Sequence, residues 1–118
     1  MPNAWDIGSA KIFQTMGFGA IATTSSGFAA TLGRLDGGVT ADELFAHCAT
    51  IVDAVEIPVS ADMENGFGHS PEEVHATVRR AVDIGLAGGS IEDFTGDRSN
   101  PIYEASLATE RVAAAVDA

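Results

Sequence analysis

Asp62 and Glu64 stand two residues apart in the stretch Pro58-Val59-Ser60-Ala61-Asp62-Met63-Glu64-Asn65-Gly66-Phe67-Gly68. On an extended backbone, carboxylates at i and i+2 point to the same side. Two such anions held together at a strand end repel each other unless a cation or a proton sits between them. After the apolar, β-prone approach Val55 to Val59, Ile57 to Ala61 predicts a short strand, and the two carboxylates form its tip. Gly66-Phe67-Gly68 then makes a turn, and Ser70-Pro71-Glu72-Glu73 opens a helix with a capping box and proline at the first helical position. The stretch reads as one βα unit with hard-cation chemistry at the C-terminal end of its strand. The plainer alternative is a solvated acidic loop that caps the next helix.

Two further acidic positions match this tip. Ala87 to Ile91 predicts another short strand, rich in glycine, that ends in Glu92-Asp93. Asp36 lies on a glycine-containing loop, Phe28 to Gly38, together with Arg34. Asp62, Glu64, Glu92 and Asp36 offer only oxygen ligands, which suit Mg²⁺ or Mn²⁺ rather than Zn²⁺. Mg²⁺ commonly takes one or two direct carboxylates and keeps several waters, so some of the four would act through water. A metal so placed can bind the oxo and carboxylate oxygens of a 2-oxo acid and stabilise an enolate as a Lewis acid. Ser26-Gly27, at the tip of the neighbouring strand, can offer a hydroxyl and backbone N–H groups to a carboxylate or oxyanion. Asp36 and Glu64 are also the candidate catalytic groups, and Asn65 joins Ser26 and Gly27 as a candidate substrate-binding residue. Gly66-Phe67-Gly68 has neither the ending of a P-loop nor the spacing of a dinucleotide fingerprint, and no Gly-x-Ser-x-Gly occurs.

The elements that must position these residues alternate. Ile12, Phe13 and Met16 predict a helix over 7–16, closed by Gly17. Gly19 to Thr24 is a buried strand. Thr40 and Glu43 form a capping box, and Leu44, Cys48, Ile51, Val52 and Val55 follow at helical spacing. Val74, Val78, Ala81 and Val82 stripe the next helix, which Gly85 ends. Asn100-Pro101 begins the last helix, with Ile102, Leu107, Val112 and Val116 apolar. His47, His69 and His75 read as surface residues and Cys48 as a core residue. Before Trp5 the first strand is missing or reduced to a stub. Alternating strands and helices imply parallel strands with right-handed crossovers, and ligands at the strands' C-terminal ends. A flavodoxin-like open sheet ranks last, for want of a strand at the N-terminus.

A chain of 118 residues, 46% hydrophobic, allows one domain over 1–118 with a sizeable core. Six Lys and Arg against 17 Asp and Glu leave a formal charge of −11, which argues against nucleic acid or an anionic membrane as partner. A single cysteine suits a reducing, cytoplasmic compartment. Neither a signal peptide nor an apolar run of membrane-spanning length is visible.

Five motifs in order carry a family resemblance: Pro-Asn-Ala-Trp-Asp (2–6), Thr-Thr-Ser-Ser-Gly (23–27), Leu-Gly-Arg-Leu-Asp (32–36), Ser-Ala-Asp-Met-Glu-Asn-Gly-Phe-Gly (60–68) and Gly-Gly-Ser-Ile-Glu-Asp (88–93). The chain resembles the isocitrate lyase / phosphoenolpyruvate mutase superfamily. The resemblance implies a (β/α)8 TIM barrel, Mg²⁺, and cleavage of a C–C or C–P bond of a small 2-oxo or 2-hydroxy acid through a metal-stabilised enolate. It implies that Asp62 holds the metal directly, that Asp36, Glu64 and Glu92 bind it mostly through water, and that Ser26 and Gly27 bind substrate carboxylate. Two departures stand out. The loop after the fourth strand, Thr-Gly-Asp-Arg-Ser-Asn-Pro, has neither the cysteine of the isocitrate and methylisocitrate lyases nor the mutase-type Lys-Thr-Asn-Ser gate. The expected fold is a partial barrel of about four βα units with its first strand truncated, lacking the later strand that bears a substrate-binding arginine. Its open strand edges suggest a homo-oligomer. The alternative reading is a truncated, catalytically inactive half-barrel.

Overall fold

The computed structural model describes residues 1–118. Nine elements alternate along the chain: β1 (Asn3–Ala4), α1 (Ile7–Thr15), β2 (Ile21–Thr23), α2 (Ser25–Thr31), α3 (Ala41–Val52), β3 (Val59–Asp62), α4 (Pro71–Asp83), β4 (Gly88–Ser90) and α5 (Ala105–Asp117). The four strands form one sheet in the order β1-β2-β3-β4, with every pair parallel. Strand order that follows chain order never reverses, so right-handed crossovers put all the helices on one side. That is barrel winding; a flavodoxin-like sheet has a switch point at which the order turns back. β1 is a stub of two residues, as expected.

Alternation along each strand divides the sheet into two faces. Ala4, Ile21, Val59 and Ala61 join the buried core, where Leu44, Phe45, Cys48 and Ile51 of α3 also lie. Asp62 takes the other parity, one residue on from Ala61. Cys48 is fully buried, as a core residue should be, and burial pushes its thiol up to about 11. No helix is long and apolar enough to cross a membrane.

The two expected capping boxes form. Thr40 and Ser70 accept from the backbone N–H of Glu43 and Glu73, whose side chains reach back to the cap residues. The second box has a steric dependence on Gly68. A Cβ there would overlap that of Glu73 and lie 2.9 Å from its Cδ. Glu73 also accepts from the His69 N–H, at 2.8 Å. Gly68→Ala is therefore expected to lower stability by about 1–3 kcal/mol, the usual cost of forced overlap. The urea midpoint should fall, with m unchanged.

Four expectations are corrected. Ser25 to Thr31, expected to be a strand tip running into a loop, is helix α2, capped by Thr24 and holding Phe28 and Ala29 in the core. Seven residues are too few for helical periodicity to show. The last helix starts at Ala105 rather than at Asn100-Pro101, because Ile102 pairs with Phe94 in an antiparallel bridge that closes the intervening loop. The face α5 buries is also not the expected one: Val112 and Val116 are 52% and 83% exposed, while Arg111 is 1% exposed. His47, expected on the surface, is half-buried and stacked on Phe28 with ring centroids 3.8 Å apart.

Candidate metal and substrate site

β2, β3 and β4 deliver their polar residues to one rim. Asp62 ends β3 and pairs in register with Ser90 of β4, so Glu92 emerges two residues beyond that pair. The Glu92 N–H donates to the Glu64 carbonyl at 2.7 Å, which continues the β3–β4 connection past the last ladder pair. Thr24, at the end of β2, turns directly into α2 and so brings Ser25 to the same rim.

Ser25 ties two acidic residues together. Its hydroxyl donates to Asp62 Oδ2 at 2.8 Å and has Asp36 Oδ1 at 3.2 Å, and its backbone N–H donates to Asp62 Oδ2 at 3.0 Å. Asp62 Oδ1 accepts from the Glu64 N–H at 3.2 Å. From the β2 side, Thr23 Oγ1 accepts the Asp62 N–H at 3.0 Å. The Asp62 carboxylate is thus held by three donors.

Glu64 is the strained member. Its φ is +49°, in the left-handed region that costs a residue with a side chain roughly 1–2 kcal/mol. It is half-buried, and its Oε1 has no hydrogen-bond partner. Burial, then the charges of Asp36, Asp62 and Glu92, push its pKa up to about 6. The Glu92 carboxyl is raised as well, first by burial and then by Asp62, Asp36 and Asp93. The four carboxylates therefore feel one another, and nothing cationic among the causes of these shifts offsets them.

A cavity of about 590 Å³ opens over this rim, lined among others by Ser25, Asp36, Glu64, Asn65, Glu92 and Arg98. Asp62 reaches it through Ser25. Ser26 and Gly27 occupy the first turn of α2 and do not line this cavity: Ser26 is exposed, with its Oγ 3.4 Å from Thr24 Oγ1, and the Gly27 N–H donates to the same threonine. Two polar side chains in that lining, Ser25 and Arg98, are absent from the sequence-derived set. Ser25 looked no different from Ser26 in a Ser-Ser pair. Arg98 stood in a polar loop, and its only signal was that of a rare cation in an acidic chain.

The donor chemistry fits a divalent hard cation, since every carboxylate here is an oxygen ligand and one buried oxygen lacks a partner. No three His, Cys, Asp or Glu side chains are gathered closely enough to ligate an ion directly. Such a spread suits one or two direct carboxylates with water-mediated contacts to the others.

The family model for phosphoenolpyruvate phosphomutase matches residues 1–118. The chain belongs to the phosphoenolpyruvate phosphomutase family. Within the phosphomutase and isocitrate lyase group, 2,3-dimethylmalate lyase of Eubacterium barkeri is 38% identical over 94 residues, which are 78% of this chain and 32% of that protein. The 2-methylisocitrate lyase of Escherichia coli K12 is 33% identical over 117 residues, 92% of this chain and 40% of that enzyme. A crystal structure from Burkholderia cenocepacia J2315, described only as a candidate lyase/mutase, superposes with a TM-score of 0.97 at 48% identity, over 99% of this chain and 42% of that one. The chain thus spans less than half the length of the family members it matches, and its four parallel strands make up part of a barrel.

Proposed function

We propose that this rim is the metal and substrate site of a Mg²⁺-dependent lyase-type enzyme that cleaves a C–C or C–P bond of a small 2-oxo or 2-hydroxy acid. The observation that carries the reading is Glu64: a half-buried carboxylate in a strained backbone conformation, with an unpartnered oxygen and three acidic neighbours. A divalent cation relieves that repulsion, and strained, unsatisfied groups of this kind cluster at functional sites. Asp62 would hold Mg²⁺ or Mn²⁺ directly, with Glu64, Glu92 and Asp36 acting mostly through water. The ion would supply positive charge against the enolate that bond cleavage leaves on the substrate.

The chain's own residues have separable tasks. Ser25 fixes the Asp62 and Asp36 carboxylates relative to each other. Glu64, with a pKa of about 6, can hold or release a proton near neutral pH, which suits a general acid or base. Asn65 presents an amide to the cavity, while Ser26 and Gly27 stand at its flank for a substrate carboxylate. A reducing cytoplasm suits the single buried thiol, and exposed edges at β1 and β4 suit self-association.

Arg98 is the one cation lining the cavity. Its planar fork can pair with a carboxylate in bidentate fashion. Arg98→Gln is expected to weaken oxalate, a mimic of the enolate, about tenfold in the presence of Mg²⁺. Binding of Mg²⁺ alone should hold or tighten, because the variant removes a positive charge. Isothermal titration of each ligand separately reads both effects.

A second reading is a metal-binding half-barrel without turnover. One observation favours it: all three residues of β4 are exposed, so water reaches the sheet beside the rim, whereas such chemistry benefits from a closed site. Assay of the purified 118-residue chain against a panel of 2-oxo and 2-hydroxy acids with Mg²⁺ separates the two. Turnover that is lost in Asp62→Ala establishes the enzyme, and binding without turnover establishes the second reading.

A further inference from the structure

We propose that Arg111, on α5, is a positioning residue that sets the conformation of the acidic turn between β3 and α4. Its functional meaning rests on the metal-site reading above; its structural content does not.

Arg111 is 1% exposed, yet no carboxylate pairs with it. A buried guanidinium without hydrogen bonds is costly, so its N–H groups must be satisfied by other acceptors. They are satisfied by backbone. Nη1 donates to the carbonyls of Gly68 and His69, each at 2.7 Å, and Nη2 donates to the carbonyl of Asn65. The guanidinium carbon lies 4.1 Å from the centroid of the Tyr103 ring, and Tyr103 Oη is 2.7 Å from His69 Nδ1. One side chain thus gathers both ends of the five-residue turn and holds them against the middle of α5.

The remaining carbonyls show what this clamp completes. The Glu64 carbonyl accepts from the Glu92 N–H, and the Gly66 carbonyl accepts from Thr77 Oγ1 at 2.7 Å. With Arg111 added, the carbonyls of residues 64, 65, 66, 68 and 69 all have donors. The same turn contains two non-glycine residues in the left-handed region, Glu64 at φ +49° and Phe67 at +54°. A strained turn persists only when its surroundings over-determine it. Arg111 supplies three of those determinants from a helix more than forty residues away, in a fork geometry that lysine cannot copy. The clamp therefore links α5 to the carboxylate of Glu64 and, through the Glu64 carbonyl, to Glu92.

The test compares the wild-type chain with Arg111→Lys, Arg111→Met and Ile51→Val, the last a truncation of a fully buried side chain in α3. Amide hydrogen exchange is measured without metal, and Mg²⁺ with oxalate is then titrated by calorimetry. The expected result is at least tenfold faster exchange of the Gly66 and Glu92 amides in both Arg111 variants relative to the β2–β3 ladder. Mg²⁺–oxalate affinity should fall at least tenfold in both, and Ile51→Val should do neither. Uniform acceleration across the sheet, wild-type protection of the turn, wild-type affinity, or an equal affinity loss in Ile51→Val would overturn the proposal. Failure of both Arg111 variants to fold would also overturn it, by showing a scaffold-wide role. If the wild-type chain binds neither Mg²⁺ nor oxalate, the site reading fails, and the exchange comparison still decides the role of Arg111.

Discussion

Asp62→Ala is expected to lower the affinity for Mg²⁺ with oxalate at least a hundredfold, about 2.7 kcal/mol of binding free energy. The expectation follows from how Asp62 is held. Both carboxylate oxygens are engaged, Oδ2 by the backbone and hydroxyl of Ser25 and Oδ1 by the Glu64 N–H. A ligand whose position is fixed by three hydrogen bonds gives up little freedom on binding an ion, so its removal takes away the best-organised donor at the rim. Alanine also releases Ser25, which keeps only its contact to Asp36. The cavity is open enough for water to reach the freed donors, so the stability cost should be only about 1 kcal/mol. Asp93→Ala is the matched control. It removes the same charge from just beyond β4, but it leaves the Ser25 link between Asp62 and Asp36 intact. Calorimetry should find Asp93→Ala close to wild type; equal losses for the two variants would mean that bulk negative charge, and not this arrangement, attracts the ion.

Glu64→Gln is expected to stabilise the metal-free protein while weakening its hold on the metal. Glu64 has its pKa raised from 4.5 to about 6 by burial and by Asp36, Asp62 and Glu92. The folded state therefore binds this proton more tightly than the unfolded chain does. The associated stability is fully present below about pH 4.5 and is lost as pH rises through about 6. Because Glu64 is only half-buried, solvent screening reduces the effect to about 1 kcal/mol. Glutamine keeps the length of the side chain and the same left-handed backbone, so the comparison isolates the charge. Urea unfolding with chelator present should give Glu64→Gln the advantage at pH 7.5, with the two curves converging near pH 4.5. Added Mg²⁺ should reverse the order, since the wild type gains more from a cation it binds more tightly. Parallel stability curves across that window would show that Glu64 carries no repulsive strain. The trade between stability and binding is the usual mark of a functional carboxylate.

Features fixed by near neighbours in the chain were legible before the fold was known. The capping boxes at Thr40 and Ser70, the glycines closing helices, and the i, i+2 pair Asp62 and Glu64 all act over a few residues. The barrel winding was legible for a related reason: strands and helices of regular length alternate, and handedness leaves few ways to connect them. What stayed hidden depended on residues far apart. Nothing local distinguishes Ser25 from Ser26; the difference is that Ser25 meets Asp62, 37 positions away. Helix α2 begins in Ser-Ser-Gly, residues that favour turns, and it is held by burial of Phe28 and Ala29 rather than by propensity. On α5 the apolar positions Val112 and Val116 pointed to the wrong inner face, because the residue that is buried there is an arginine whose partners are carbonyls on another loop.

A crystal of the 118-residue chain grown with Mn²⁺ and oxalate, and measured at a wavelength where manganese scatters anomalously, tests the central claim most directly. A single anomalous peak is expected at the rim, against Asp62 and within water-bridging reach of Asp36, Glu64 and Glu92, with oxalate on its open side beneath Arg98. A peak elsewhere on the surface, or no peak at saturating Mn²⁺, would contradict it.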